Sequence, residues 1–195
     1  MNQIELKALA KINLGLDVLG RRENGYHDVR MVMQSIYLYD EVKIAKKKEL
    51  GITLTTNLKF LPTGDGNIAY KAAQLLMDEF DLKEGVQITL NKHIPVAAGL
   101  AGGSSNAAAV LFGMNRLFGL RLTQQELMDR GVKLGADVPY CIMRGTALAE
   151  GIGEKLTRIA QIPDCFVLIG KPGISVSTKM AYESLQLDKI SSHPD

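Results

Sequence analysis

The sequence lacks several features that mark common classes of protein. Its only two cysteines, Cys141 and Cys165, stand in apolar contexts without metal-ligand spacing, which argues against a cysteine-based metal site and predicts reduced core residues, as in a cytosolic protein. Neither a signal peptide nor an apolar run long enough to cross a membrane is visible. The net charge is only +2, too small to suggest a nucleic-acid binder. We therefore expect a cytoplasmic protein that binds neither nucleic acid nor membrane.

The composition that remains is that of a globular chain. Its 195 residues are 46% hydrophobic and 23% charged, enough for one full domain with a substantial core and the start of a second. Stretches with an apolar period of two residues alternate with stretches of helical period. This pattern predicts a mixed α/β domain with several antiparallel strand pairs.

The most informative stretch runs from Pro95 to Asn106, between a strand pattern and a helix pattern. Gly119 stops that helix pattern. A strand, a glycine-serine turn and a helix together deliver bare backbone N–H groups and the positive end of a helix dipole to an anion. Ser104 and Ser105 are candidates to cap the helix or to contact phosphate and metal. A flexible linker is the alternative, but linkers are not usually fixed between a strand and a strong helix.

The amino-acid sequence of this loop differs from the commonest phosphate-binding motifs. No lysine follows the glycines, so the loop is not G-x-x-x-x-G-K-[ST], and it is not G-x-G-x-x-G. The catalytic-loop and D-F-G signatures of protein kinases are absent as well. A phosphate cradle of another kind is therefore predicted.

The loop resembles the phosphate-binding motif of the GHMP small-molecule kinases, the superfamily of galactokinase, homoserine kinase, mevalonate kinase and phosphomevalonate kinase. Gly99 to Asn106, followed by alanines, is most similar to the 4-diphosphocytidyl-2-C-methyl-D-erythritol kinase family of the non-mevalonate isoprenoid pathway. The resemblance implies that ATP is held by Pro95, Val96, Ala97, Ala98, Gly99, Leu100, Ala101, Gly102, Gly103, Ser104 and Ser105.

The first strand pattern of the chain also contains a segment that resembles the family. Apolar residues alternate from Ile4 to Val18, which predicts a strand with one buried face, bent or broken midway. Lys11 and Asn13 lie side by side on its other face. A lone lysine on a strand is usually a solvated edge charge. However, the segment Ala10–Leu14 is similar to the family's opening motif, which implies that Lys11 and Asn13 face the active site.

The turn at Asn24-Gly25 leads directly into Tyr26 and His27. On the residues alone, the simpler interpretation is a loop tyrosine that packs its ring against the protein and a histidine whose hydrogen bonds are made within the protein. The surrounding G-R-R-x-x-G-Y-H is similar to the family's substrate loop, where the tyrosine stacks on cytosine and the histidine bonds to the base. An aromatic face binds any base, and hydrogen bonds to the edge select one. By the same resemblance, Tyr182 is expected on the other side of the cytosine.

Two further polar residues have both a structural and a functional interpretation. Asp137, in the segment Gly135–Pro139, could cap a helix beginning at Pro139. The segment is also similar to the family segment that holds the catalytic aspartate. Asn67 is a candidate N-cap, and the family places residues near it beside the adenine of ATP.

The remaining patterns predict further elements of structure. We expect two strands around Asp40-Glu41 within Met31–Ile44, a strand at Ile52–Thr56, a helix from Asn67 to Phe80, a capping box at Thr123–Glu126, a hairpin over Thr146–Ile159, a buried strand at Phe166–Ile169 and a helix from Lys179. The segment Lys171–Thr178 resembles the one that opens the family's second half.

The fold implied by the resemblance is α/β (α+β) in two layers. Residues 1–160 would form a GHMP N-terminal, ATP-binding domain like the second domain of ribosomal protein S5, and residues 161–195 would begin the C-terminal domain. The family's third glycine-rich motif is not found in these 195 residues. We therefore expect an incomplete ATP site, and the activity of this chain by itself stays open. We expect a monomer or a weak homodimer.

The function implied by the resemblance is phosphorylation of the 2-hydroxyl of 4-diphosphocytidyl-2-C-methyl-D-erythritol by ATP. Asp137 would act as base and Lys11 as its charge partner. Mg²⁺ would arrive with ATP, without dedicated protein ligands, although Ser105 is a candidate to contact it. The alternatives are another GHMP kinase, of homoserine or mevalonate type, and an inactive nucleotide-binding fragment.

Overall fold

The computed structural model describes residues 1–173, 178–187 and 193, and within them it confirms a mixed α/β architecture. The elements, in chain order, are β1 (Gln3–Arg21), β2 (His27–Lys47), β3 (Ile52–Thr56), α1 (Ile68–Glu79), β4 (Gly85–Asn91), α2 (Gly102–Phe118), α3 (Gln124–Gly131), α4 (Val138–Met143), β5 (Thr146–Gly151), β6 (Lys155–Arg158) and α5 (Thr178–Glu183). None of the helices described is long and apolar enough to cross a membrane.

The sheet is organised around β2. Strand β1 pairs antiparallel with β2 along almost its full length, while β4 and β5 pair antiparallel with different halves of β2. Strand β3 joins β4 in parallel, and β6 closes the other end beside β5. The two long strands are therefore the scaffold from which both halves of the sheet extend.

The prediction of two strands around Asp40-Glu41 was wrong, because β2 is a single strand of 21 residues. Asp40 does not mark a turn. Its side chain is completely buried and accepts hydrogen bonds from the backbone N–H groups of His93 and Ile94. A carboxylate satisfied in this way can lie inside a strand, whereas the sequence pattern gives it the appearance of a loop residue.

Strand β1 has the irregular form that its alternation predicted. The β1–β2 register shifts between Leu9 and Ala10, between Asn13 and Gly15, and between Val18 and Gly20. Each shift changes which residues of β1 share a face with a given residue of β2. These bulges therefore decide which side chains of β1 reach the functional cavity described below.

Helix α2 is the centre of the core. It packs on β1, β2, α1 and α4, and its buried residues include Val110, Leu111 and Met114. Gly113 permits close approach to the sheet, since a Cβ there would lie 2.5 Å from Cδ1 of Ile44. The helix ends at Gly119 in the left-handed conformation (φ +63°), which confirms the predicted stop.

Several smaller predictions are also confirmed. The capping box of Thr123 and Glu126 opens α3 with both hydrogen bonds in place, and β5 and β6 form the expected hairpin. Strand β3 and helix α5 lie where the patterns placed them, α5 beginning one residue earlier. In the segment predicted over Lys171–Thr178, residues 174–177 lie outside the described residues.

The prediction of a buried strand at Phe166–Ile169 was wrong. In the described structure this segment belongs to no strand, and the side chains of Phe166 and Leu168 are fully exposed. Cys165 is exposed too, so the prediction of two core cysteines holds only for Cys141. Apolar periodicity indicates what a segment would bury, but burial requires a neighbouring face, and none of the strands described pairs with this segment.

Candidate active site

Within the part of the chain that the structure describes, a large cavity with a volume of about 1070 Å³ is lined by almost all of the predicted site residues. It lies where the β1–β2 hairpin, the loop after β4, the start of α2 and the start of α4 meet. Its walls include Lys11, Asn13, Tyr26, His27, Asn67, Asp137, Tyr182 and every residue from Pro95 to Ser104. Ser105 is the one predicted residue that does not line it.

The glycine loop presents backbone to the cavity. Ala97, Gly99 and Ala101 all have positive φ angles (54°, 71° and 55°), and the N–H of Lys11 donates to the carbonyl of Leu100 at 3.1 Å. Ala101 is the N-cap residue of α2, and no side chain caps the helix. The first N–H groups of a 17-residue helix therefore have no side-chain partner, which is the condition for binding an anion there.

The two serines of the loop have different positions from those predicted. Neither caps α2, because the helix begins at Gly102 and both serines lie within its first turn. Ser104 lines the cavity, whereas Ser105 is buried and its hydroxyl donates to the carbonyl of Leu9 at 2.7 Å. The hydroxyl of Ser105 thus fastens α2 to β1. A contact of Ser105 with Mg²⁺ or phosphate stays a prediction.

Lys11 and Asp137 meet at the wall of the cavity. The ammonium nitrogen of Lys11 lies 3.9 Å from Oδ1 of Asp137 and donates to Oδ1 of Asn13 at 3.1 Å. The Lys11 side chain is only 8% exposed, while that of Asp137 is 35% exposed. Opposite charges at this distance attract each other, and the carboxylate remains open to solvent.

The structure argues against the capping interpretation of Asp137. The residue does occupy the N-cap position of α4, directly before Val138 and Pro139, but its side chain makes no capping hydrogen bond. The carboxylate points instead to the cavity that it shares with Lys11. Asp137 is therefore available to a ligand.

Behind this pair the protein is apolar. Cys141, on α4, is buried, and burial raises the pKa of its thiol, with the nearby charge of Asp137 adding to the effect. The neighbouring Tyr140 donates its hydroxyl to the carbonyl of Gly145 at 2.6 Å, and burial raises the pKa of Tyr140 to about 12. Both groups stay protonated near neutral pH, so they add no charge to the site.

A buried polar network lies below the glycine loop, and sequence reasoning missed it. Lys92 donates to Oδ2 of Asp40 and, at 2.8 Å, to Oδ1 of Asn106, while Nδ2 of Asn106 donates to the same Asp40 oxygen at 2.9 Å. The network joins β2, the end of β4 and α2. A Cβ on Gly102 would lie 3.2 Å from Nζ of Lys92, so the lysine directly supports the first turn of α2.

No periodic signal could have revealed this network, because its members are far apart in the chain. The available hint was local. Asn106 follows the two serines at the start of a strongly apolar helix, and Lys92 directly follows a buried strand. A polar residue at the edge of an apolar pattern indicates that a hydrogen-bond partner exists, but the sequence does not show which residue it is.

The aromatic residues lie together at the end of the cavity formed by the hairpin turn. Tyr26 is 58% exposed, whereas Tyr182 is half-buried and stacks on His27 with ring centroids 5.2 Å apart. Burial raises the pKa of Tyr182. The structure thus brings Tyr26, His27 and Tyr182 to one place, and the stacking partner of Tyr182 is His27.

Asn67 serves as the N-cap of α1, as the sequence predicted. Its side-chain oxygen accepts from the N–H of Ala69 at 2.9 Å, and its amide donates to the carbonyl of Pro62 at 2.9 Å. Asn67 also lines the cavity.

Comparison with known proteins places this chain in a family. Residues 67–145 match the family model of the GHMP kinases N terminal domain. The chain is 59% identical over all of its 195 residues to 4-diphosphocytidyl-2-C-methyl-D-erythritol kinase of Lachnospira eligens and covers 68% of that relative. It is 55% identical over its whole length to the enzyme of the same name from Acetivibrio thermocellus, of which it covers 69%. The chain thus spans about two thirds of the length of these curated relatives.

Solved structures give the same result. A crystal structure of 4-(cytidine 5'-diphospho)-2C-methyl-D-erythritol kinase superimposes with a TM-score of 0.78 at 34% identity, covering 95% of this chain and 65% of that one. The homoserine kinase of Cytophaga hutchinsonii has a TM-score of 0.68 at 19% identity, with 94% and 60% covered, which shows a common fold alone. The chain belongs to the 4-diphosphocytidyl-2-C-methyl-D-erythritol kinase family, small-molecule kinases of the GHMP superfamily.

Proposed function

We propose that this chain catalyses transfer of the γ-phosphoryl group of ATP to the 2-hydroxyl of 4-diphosphocytidyl-2-C-methyl-D-erythritol, a step of the non-mevalonate isoprenoid pathway. The observation that carries the proposal is the pairing of Lys11 with Asp137 in the same cavity as the uncapped first turn of α2. The cavity volume of about 1070 Å³ is slightly larger than the roughly 300–1,000 Å³ usual for a single small-molecule site.

The ATP phosphates would bind at the first turn of α2. Its N–H groups and the helix dipole favour negative charge, and the positive φ angles of Ala97, Gly99 and Ala101 hold the loop backbone against the cavity. The Asp40–Lys92–Asn106 network holds this turn in place from below. Mg²⁺ bound to ATP would neutralise phosphate charge, and Ser104 is the loop hydroxyl that lines the cavity.

Phosphoryl transfer requires alignment and charge stabilisation more than covalent chemistry by the protein. Asp137 would orient the acceptor hydroxyl and take its proton. Because an alcohol is a far weaker acid than a carboxylic acid, that proton would move late, as the phosphoryl group leaves ATP. Lys11, as the charge partner of Asp137, would stabilise the charge that develops on the reacting oxygens. Asn13 orients Lys11 through its hydrogen bond.

The aromatic end of the cavity would bind the cytosine. Tyr26 offers an exposed ring face for stacking, and His27 offers hydrogen bonds to the base. Tyr182, which stacks on His27 in this structure, would turn to cover the other face of the base.

The direct test is incubation of the purified protein with ATP and 4-diphosphocytidyl-2-C-methyl-D-erythritol, with the product read by mass. A gain of one phosphate supports the proposal. Homoserine and mevalonate, offered in parallel, should give no product, and phosphorylation of either in preference to the cytidine substrate would contradict it. A folded protein that binds ATP yet transfers no phosphate would identify the chain as a nucleotide-binding fragment.

A further inference from the structure

Two adjacent arginines at the end of β1 have different surroundings. Arg22 donates to Oδ1 of Asp28 through Nε at 3.0 Å and through a terminal nitrogen at 2.6 Å, so its charge is matched within the hairpin. Arg21 is exposed and lines the cavity. Among the described residues, no carboxylate lies within ion-pair distance of Arg21.

A β-bulge directs Arg21 to the cavity. Val18 is paired with Val29, and with regular pairing Gly20 would lie opposite His27. The register shift between Val18 and Gly20 instead places Arg21 opposite His27. Directly opposed residues of an antiparallel pair share a face of the sheet, so the bulge brings the guanidinium to the face that carries His27.

The charge of Arg21 is the one that the cavity wall leaves uncompensated. Among the described residues that line the cavity, the only carboxylate is that of Asp137, which lies beside Lys11. The third cationic residue of the wall, Lys92, is paired with the buried Asp40. An exposed guanidinium without a protein partner, beside a proposed base-binding histidine, is suited to an anionic part of a ligand.

We propose that Arg21 binds the diphosphate group of the cytidine substrate. This assignment rests on the proposed function. In that substrate the diphosphate joins the cytidine to the methylerythritol, so it must lie between the base, held at the aromatic end, and the hydroxyl, held at Asp137. The planar guanidinium offers two parallel N–H donors to phosphate oxygens, which a lysine cannot reproduce.

The assignment predicts that Arg21 discriminates by the number of phosphates and not by the base. It contributes to the affinity for cytidine 5'-diphosphate, and it contributes nothing to the affinity for cytidine, whose contacts are with Tyr26 and His27. ATP, held at the first turn of α2, should bind independently of Arg21.

Calorimetric titration of cytidine, cytidine 5'-diphosphate and ATP into the wild-type protein and into Arg21→Gln tests the proposal. We expect Arg21→Gln to lower the affinity for cytidine 5'-diphosphate about tenfold, the loss typical of charge-assisted hydrogen bonds at a partly exposed site. The affinities for cytidine and for ATP should not change. Arg21→Lys should recover only part of the loss. The matched control is Arg30→Gln, which removes the same charge from an exposed position on β2 that does not line the cavity, and it should change none of the three affinities.

Equal affinity of Arg21→Gln and wild type for cytidine 5'-diphosphate would overturn the assignment while leaving the proposed function standing. A parallel loss for cytidine and cytidine 5'-diphosphate would overturn it too, because it would show a general disturbance of the hairpin. If the wild-type protein itself bound neither cytidine ligand, the proposed function would fail and the assignment with it.

Discussion

The ammonium of Lys11 lies 3.9 Å from the carboxylate of Asp137, although β1 carries one residue and the N-terminus of α4 carries the other. Helix α2 is what brings them together, since it packs on both β1 and α4. Its hydroxyl contact from Ser105 to Leu9 fixes the helix to β1 just beside Lys11. The position of the proposed catalytic pair thus follows from the packing of the helix whose first turn would hold the phosphates.

The buried network below the loop gives a prediction about stability. Lys92→Met leaves Asp40, which is completely buried, without its cation. We expect the free energy of unfolding to fall by about 3–5 kcal/mol, as for other broken buried ion pairs, measured by urea denaturation. The control is Lys83→Met, which removes an exposed pair with Asp81 and should cost less than about 1 kcal/mol. Similar losses in the two variants would show that the network does not stabilise the fold.

The proposed base site predicts a selective kinetic effect. Tyr26→Ala should raise KM for the cytidine substrate about tenfold or more, since stacking on an aromatic ring is worth roughly 1–3 kcal/mol per base. Tyr26→Phe keeps the ring and should behave as wild type, and KM for ATP should change in neither variant. Tyr37→Ala is the matched control, because Tyr37 is 75% exposed on β2 and does not line the cavity. If Tyr26→Ala raised KM for the cytidine substrate and KM for ATP equally, the assignment of Tyr26 to the cytosine site would be wrong.

The buried acids of α4 predict a loss of stability in alkali. Burial raises the pKa of Tyr140 to about 12, from an ordinary value of 10.0, and raises the pKa of the Cys141 thiol above its ordinary 9.0. Above about pH 9 the unfolded chain releases protons that the folded protein retains, so stability is full below that pH and falls as the pH rises. Urea denaturation between pH 7 and pH 11 measures the slope. Cys141→Ala should reduce the fall of stability with pH just above pH 9. An unchanged slope would show that the Cys141 thiol does not cause this fall.

The sequence predicted local structure well wherever a pattern repeats along the chain. The helical period before Gly119, the capping box at Thr123 and the alternation of β1 all correspond to elements of the structure. These signals are local, because each depends on residues within a few positions of one another. The resemblance supplied the rest of the site list, and the structure gathers that list in one cavity with the exception of Ser105.

The sequence could not predict features that depend on distant partners. Asp40 looked like a turn residue because its four hydrogen-bond donors come from Lys92, His93, Ile94 and Asn106. The direction of Arg21 depends on a bulge that only the pairing with β2 defines. Phe166 and its neighbours have the apolar pattern of a core strand, yet pairing decides whether such a strand forms. In each case the missing information is a long-range contact.

The central claim is that Asp137, paired with Lys11, activates the acceptor hydroxyl. The measurement that tests it most directly is the turnover rate of Asp137→Asn with ATP and 4-diphosphocytidyl-2-C-methyl-D-erythritol, beside wild type and the control Asp129→Asn, an aspartate of α3 outside the cavity wall. We predict that kcat falls by about 10²–10⁴-fold in Asp137→Asn, with KM for ATP unchanged, because positioned general-base assistance is worth that much. Asp129→Asn should match wild type. Turnover by Asp137→Asn close to that of wild type would contradict the account.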